Sequence, residues 1–388
     1  LDPESKGDVL SLKLVMDLDN MTSAEVTLNN WDDKTFWFQY SDQAGLYVGN
    51  RVHLKLGYAD RILSMLRGRI NSLTPEFPNA GSSTLNLGIL DSMQLLKDRR
   101  PAEGEERQFR GMTDGAIAQV IATRNGLETD IDDFTVEHTE VAEGELDDAQ
   151  FLMQRARRTD SECYIFVDPD SGQDTLRFGA PRDERGGARS TNHRFVWGES
   201  LKSFSPTLTM SNQVSQVTVR GWNEEEMEPI TATATAEDIA DGSGNTGAGN
   251  ARNAAGGRQD VVIGAAVRTQ AEADALAISL LRQRAYEFIT GKGEIIGLPD
   301  LRPADTITIA GLGDRFSGTY YTKKVEHEIS ASGYTTCFEV RKSYDEGESA
   351  GPQWANRPAL ARHAKTFGAC IPVLPRMCWT LMGAAGSP

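Results

Sequence analysis

The sequence predicts a mainly β chain with an inserted α+β segment, and three observations predict it. Apolar residues alternate with polar ones at a period of two through the first hundred residues. The period changes to that of a helix between Thr113 and Arg158. After that the chain returns to strand patterning, interrupted by one long helix. At 388 residues, with 39% hydrophobic and 25% charged residues, it is long enough for two to four units with a sizeable core.

In the first strand Leu12, Leu14, Met16 and Leu18 alternate with Ser11, Lys13 and Asp17, so one face is buried and the other wet. Val26 and Leu28 continue the pattern, as do Val52, Leu54 and Leu56. Ile62 to Ile70 and Leu85 to Ile89 add strands, separated by turn formers at Gly49-Asn50, Gly57, Pro75, Pro78-Asn79 and Gly81. Many short strands with regular turns fit a barrel or a sandwich. In Thr113–Asn125, Ile117, Val120 and Ile121 take helical spacing, with Thr113 or Asp114 as cap and Gly126 as stop. A second helix is expected over Asp148–Arg158, then strands at Tyr164–Val167 and Thr175–Phe178.

Strands near Leu201–Phe204 and Val214–Trp222 follow, the latter expected to complete the first β unit across the insertion. The stretch Asp241 to Gly257, rich in Gly, Asn and Ala, reads as a flexible loop. Thr269 and Glu272 then form a capping box for a long helix. Its stripe of Ala273, Leu276, Ala277, Leu280, Leu281 and Phe288 reads as core, and Gly291 ends it. A second β unit follows, with strands at Gly293–Leu298, Asp305–Ile309, Tyr320–Ile329 and Tyr334–Arg341. The expected division is 1–105 (completed by 195–225), an α+β insertion 106–194, a linker 226–258, a helix with second β unit 259–348, and an irregular tail 349–388 containing Pro352, Pro358, Pro372 and Pro375.

The formal net charge of -16 argues against a nucleic-acid sleeve or a binder of anionic lipid, both of which need positive surface. Cys163, Cys337, Cys370 and Cys378 contain no CxxC, so neither a zinc site nor a disulfide framework is expected, and synthesis in a reducing compartment is. No apolar run approaches the roughly 20 residues that span a bilayer, and no secretory signal is evident.

Three features invite a chemical reading. Asp130, Asp132 and Asp133 are the residue type for acid–base work or metal binding, but acidic loops are more often solvated. Asp168, Asp170 and Asp174 around Gly172 resemble an incomplete calcium loop, and their place between two strands favours a hairpin turn. His53, His138, His193, His327 and His363 show no metal-binding spacing, and His327 reads as a packed or hydrogen-bonded structural histidine. There is no GxSxG elbow, and Gly242–Gly257 lacks the ending of a phosphate loop. The expectation is a chain with no catalytic, cofactor-binding or metal-binding residues.

The run from Gly49 through Val52-His53-Leu54-Lys55-Leu56-Gly57-Tyr58 leads into Gly68-Arg69-Ile70, Leu73-Thr74-Pro75-Glu76-Phe77-Pro78 and Asp91. Further on come Thr113-Asp114, Phe151-Leu152, Arg155-Ala156-Arg157-Arg158, Trp197-Gly198-Glu199-Ser200-Leu201, Phe204-Ser205-Pro206 and Gln213 to Trp222. Tyr320, His327, Gly333-Tyr334, Phe338 and Arg341 close the series. In this order, over about Gly7 to Ser343, the chain resembles the phage late control D family, tail-hub relatives of the VgrG N-terminal region, without that family's usual N-terminal strand. The resemblance implies two similar antiparallel β-barrels with small α+β elements, assembled as a homotrimer whose six barrels form a ring. Such a ring is a structural baseplate hub, not an enzyme, joining a hexameric tail tube to a trimeric spike or needle tip beside baseplate wedge proteins. It implies synthesis in the bacterial cytoplasm and assembly into a phage tail or a type VI or extracellular injection particle. The alternative is a tail-associated peptidoglycan hydrolase, for which the short Pro-containing tail past Ser349 offers no domain.

Overall fold

The alternation read from the first strand is what the fold buries. In the computed structural model, which describes residues 7–58, 61–100, 107–168, 171–183, 193–223, 226–239, 245–254, 257–264, 267–345 and 376–381, Leu12 and Leu14 are fully buried and Met16 and Leu18 nearly so. The first half contains β1 (Val9–Asp17), β2 (Ser23–Asn29), the short β3 (Trp31–Asp32) and β4 (Trp37–Phe38), β5 (Arg51–Tyr58), β6 (Arg61–Glu76) and β7 (Thr84–Asp91). A short helix α1 (Met93–Lys97), absent from the sequence expectation, follows. The insertion comprises β8 (Gln108–Thr113), α2 (Asp114–Arg124), β9 (Glu128–Ile131), β10 (Glu137–Ala142), α3 (Asp148–Arg158), β11 (Glu162–Val167) and β12 (Asp174–Gly179).

After it come β13 (His193–Val196), β14 (Leu201–Leu208), β15 (Gln216–Asn223), β16 (Glu228–Thr235), β17 (Asn245–Thr246), α4 (Gly247–Ala254) and β18 (Gln259–Ile263). The long helix α5 (Gln270–Ala285) precedes β19 (Ile289–Ile296), β20 (Thr306–Ala310), α6 (Gly313–Phe316), β21 (Gly318–Ser330), β22 (Gly333–Lys342) and β23 (Tyr344–Asp345). A last strand, β24 (Arg376–Leu381), pairs with β5.

Among the described residues the fold is mainly β, in several sheets, none of which closes into a barrel. The two closed barrels expected for the chain are replaced, in the pairing, by one 12-stranded sheet ordered β14-β19-β22-β21-β1-β2-β7-β6-β5-β24, with β20 and β13 branching from β21. The physical reason lies in β1. A strand has two hydrogen-bonding edges, and β1 gives one to β2 (Leu14↔Ala24) and the other to β21 (Leu14↔His327), both antiparallel. It therefore joins the N-terminal strands to the C-terminal ones. Tyr58 Oη adds a cross-tie by donating to the Gly297 carbonyl at 2.7 Å. One hydrophobic core runs beneath both halves, from Leu12, Val26, Leu54 and Ile89 to Ile307, Val325 and Phe338.

The strands expected to complete the first unit do not pair with it. Leu201–Leu208 pairs with β19. Gln216–Asn223 is the middle strand of a separate sheet, β16-β15-β18. That sheet buries Val217, Val219, Ala232 and Ala234 against Ala273, Leu276, Ala277 and Leu281 of α5, so the apolar stripe of α5 is core. Residues 226–258, expected as linker, include β16 and α4, and the tail contributes β24; residues 240–244 and 346–375 lie outside the described residues. The insertion has its own core, in which Ile117, Ile121, Phe151, Leu152, Leu176 and Phe178 pack together. Both of its helices start as their sequences dictate: Thr113 Oγ1 accepts from Ala116 N, and the Asp147 carboxylate from Gln150 N.

Candidate functional site

Some of the candidate residues and charge networks lie within the insertion, some in the large sheet, and some where the insertion docks on the rest of the chain. Of the acidic trio at the end of β9, two members hold an arginine. Arg177, on β12, has its side chain 2% exposed. It donates from Nη1 to Asp132 Oδ1 (2.5 Å) and from Nη2 to Asp132 Oδ2 (2.7 Å), a bidentate pair. Asp130 accepts from Arg182 and, at 3.3 Å, from Arg177. Burial opposes the charge of Asp132, but the hydrogen bonds and charge of Arg177 outweigh it and hold the pKa below the ordinary value. Asp133 is exposed. These carboxylates are engaged by arginine rather than open to a metal or a substrate proton, and they stitch β9 to β12.

In the second trio, Asp168 accepts from Ser171 N (2.7 Å) in the turn between β11 and β12. Asp174 accepts from Ser92 Oγ at 2.5 Å, and Asp170 lies outside the described residues. Asp168 and Asp174 are thus each engaged within the protein. Among the described residues there is no group of three or more His, Cys, Asp or Glu able to hold a metal.

The histidines divide by environment. His327 is fully buried and pushed down to about 3, first by burial and then by Arg302, so it is neutral. Its Nδ1 lies 2.8 Å from Tyr334 Oη and 3.1 Å from Thr336 Oγ1. His53 is lowered to about 4 by burial, Lys55 and Arg67, and its Nε2 meets Ser64 Oγ at 2.9 Å. His193 stacks on Phe195, and His363 lies outside the described residues.

His138 is different. On β10, it places Nδ1 2.6 Å from Glu272 Oε1 at the start of α5 and Nε2 3.0 Å from Asp114 Oδ2 at the start of α2. Arg155 Nε donates to the other Asp114 oxygen at 2.5 Å, and Arg155 Nη2 lies 2.7 Å from His138 Nε2. The two neighbours of Nε2 make opposite demands, since a carboxylate needs a hydrogen there and a guanidinium a lone pair. Burial disfavours the charged ring, but the two carboxylates outweigh it and raise the pKa. His138 thus meets Glu272 of α5 across the junction and Asp114 within the insertion. Beside it opens a cleft of about 640 Å³, lined by β10, α3, β15, β18 and the start of α5.

Two further clusters were invisible in the sequence. Glu143 and Asp148, both fully buried at the side chain, share Arg107 and Arg124. Burial, and then the neighbouring Asp148 carboxylate, push Glu143 up to about 7. At the junction with the large sheet, Glu162 of β11 accepts from Tyr321 Oη (2.6 Å) and Arg341 Nη2 (3.0 Å). The Arg341 guanidinium also lies over the Tyr286 ring at 4.0 Å. Burial raises the pKa of Glu162 against the pull of Arg341. The only sequence hint was the placement of charged residues inside apolar strand patterns. A second cleft, of about 600 Å³, runs past these residues between α3, α5 and β22.

On the surface, the β3–β4 hairpin carries an aromatic knuckle. Phe36 and Trp37 are 72% and 62% exposed. Phe38 meets Trp31 and Phe77 edge-on at 5.8 and 4.9 Å. Exposed apolar clusters of this kind mark interaction surfaces.

The mainly β fold is similar to that of solved tail proteins. A 43 kDa tail protein of prophage MuSo2 from Shewanella oneidensis aligns with TM-score 0.61 at 11% identity, over 86% of this chain and 94% of that one. A tail protein from Neisseria meningitidis MC58 aligns with TM-score 0.61 at 13% identity, over 86% and 92%. The E. coli c3393 protein, a type VI secretion component described as similar to the T4 tail proteins gp27 and gp5, aligns with TM-score 0.56 at 11% identity, over 91% and 78%. In sequence, the family model of the Alg8 N-terminal domain matches residues 3–331, and the chain belongs to that family. No curated protein matches. No helix among the described residues is long and apolar enough to cross a membrane.

Proposed function

We propose that the chain is a structural hub of a contractile phage tail or a related injection machine, built as a homotrimer of the late control D type. The observation that carries the reading is a tail-protein fold matched over 86–91% of the chain. The ordered motifs from Gly49 to Arg341 support it. In this reading each protomer offers two barrel-like halves, β1–β7 and β13, β14 and β19–β22, joined through β1. Three copies present six halves in a ring, matching a hexameric tube on one face and a trimeric spike on the other. The shared sheet suits that work because force entering one half reaches the other through backbone hydrogen bonds. The aromatic knuckle supplies a contact for the tube, the spike or wedge proteins. The reading is non-enzymatic, with no cofactor: the buried carboxylates of the insertion are held by arginines, which is stabilising chemistry rather than turnover. The particle is assembled from chains made in the bacterial cytoplasm.

Mass measurement by light scattering of the purified chain tests this. The expected value is three times the 42.4 kDa of the chain, with threefold class averages in electron micrographs. A monomer at high concentration together with peptidoglycan lysis in a zymogram would replace the hub by a hydrolase.

A further inference from the structure

The cleft beside His138 is positively charged in a strongly acidic protein. Arg155 and Arg158 sit one turn apart on α3 and therefore on the same face. Arg220, on β15, and Arg268, just before the N-cap of α5, close it from the other side. Counting Asp114 and Arg110, which bond to the lining residues His138 and Glu140, five arginines face three carboxylates, Asp114, Glu140 and Glu272. The local surplus is positive, against a net charge of -16 for the chain.

The arginines differ in their engagement. Arg155 is held by Asp114. Among the described residues, the guanidiniums of Arg220 and Arg268 take part in no hydrogen bond or ion pair, and both side chains are exposed. Beside them the cleft is apolar. Trp222 follows Arg220 on the same face of β15 and is 47% exposed. Ile263 is the register partner of Arg220 on β18 and is 76% exposed. Two free planar forks next to an open indole and an aliphatic side chain make a site for a doubly charged oxyanion on an apolar body. A carboxylate would occupy one fork, whereas a phosphate dianion has oxygens for both.

We propose that this cleft binds a soluble phosphate monoester carried on an apolar or aromatic group, with Arg220 and Arg268 holding the phosphate and Trp222 and Ile263 the body. The cavity, about 640 Å³, takes a small ligand whole. This site does not depend on the hub reading, because the cleft lies within one chain.

Calorimetric titration of the full chain tests it, with phenyl phosphate, inorganic phosphate and phenylacetate as probes. Phenyl phosphate is expected to bind most tightly, with phosphate alone and the carboxylate about tenfold weaker or more. Arg220→Ala and Arg268→Ala, both at exposed positions, are each expected to weaken phenyl phosphate about tenfold, and Trp222→Ala to weaken it while leaving inorganic phosphate unchanged. Absence of phenyl phosphate binding, or binding as tight as the parent's by both arginine variants, overturns the assignment. Equal affinity for phenylacetate overturns the dianion. Vesicles of phosphatidylcholine with phosphatidic acid give the lipid arm, and sedimentation with them in the absence of phenyl phosphate binding overturns the soluble ligand.

Discussion

Glu143 shows how burial turns a single carboxyl group into a pH-dependent contribution. Its pKa rises from about 4.5 to about 7 because it is buried next to Asp148. The folded protein therefore holds a proton that the unfolded chain releases between those values. As pH rises through that window, stability falls; below about 4.5 the penalty is absent, and above about 7 it is complete. Glu143→Gln removes the charge and keeps the shape. The variant is expected to be more stable than the parent at pH 8, by on the order of 1 kcal/mol, with the advantage shrinking to nothing near pH 4.5. Urea denaturation across that range measures it, and a pH-independent difference would show that Glu143 ionises normally. Burial raises Glu162 as well, but its partners make its removal costly. Arg341 and Tyr321 hold it, so Glu162→Ala leaves Arg341 buried without its carboxylate. The loss is expected at about 3–5 kcal/mol, read as a lower denaturation midpoint. None of these pairings was legible in the sequence, because the partners lie 159 and 179 residues apart for Glu162. The acidic trio was visible as a cluster, but not the fact that Arg177, 45 residues downstream of Asp132, neutralises it.

Among the elements, those whose period was legible were also placed well by sequence. The span of α2 follows from its cap and apolar spacing, that of α3 from its spacing, and the start of α5 from Thr269, whose Oγ1 accepts from Glu272 N at 3.2 Å, although α5 ends at Ala285 and Gly291, expected to stop it, lies in β19. Glu272 also accepts from Arg268 N and His138, so this cap serves both the helix and the junction. Thr269→Ala is expected to cost about 1 kcal/mol, visible in a thermal melt, and to leave the His138–Glu272 bond intact in the imidazole NMR signals. The short helix α1 escaped notice because five residues carry too little periodicity to stand out. Strand β19 illustrates a different limit. Its Gly293 lies under the Phe338 ring, and a Cβ there would meet Phe338 Cζ at 2.3 Å. Gly293→Ala is thus expected to displace that ring and destabilise the sheet by about 1–3 kcal/mol, whereas the sequence presents the glycine only as a weak strand former. A melt of the variant within error of the parent would mean that the ring moves aside freely.

For the whole molecule, what the sequence left open was which strand lies beside which. A period of two tells which face a residue occupies and says nothing about its neighbour. That is why the last strands were assigned to a second barrel and Val214–Trp222 to the first, when β1 links the two halves and β15 stands in a sheet of its own. The shared strand has a mechanical consequence. Leu14 is fully buried, with Ala24 opposite on one side and His327 on the other. Leu14→Ala removes packing at the seam and is expected to cost about 2–5 kcal/mol. If β1 couples the halves, local opening at the seam exposes amides on both sides, so native-state hydrogen exchange should quicken in β2 and in β21 together. Two independent barrels would respond unequally, with β2 losing protection and β21 keeping it. Equal acceleration therefore distinguishes one continuous sheet, whose two halves open together, from two units that only touch.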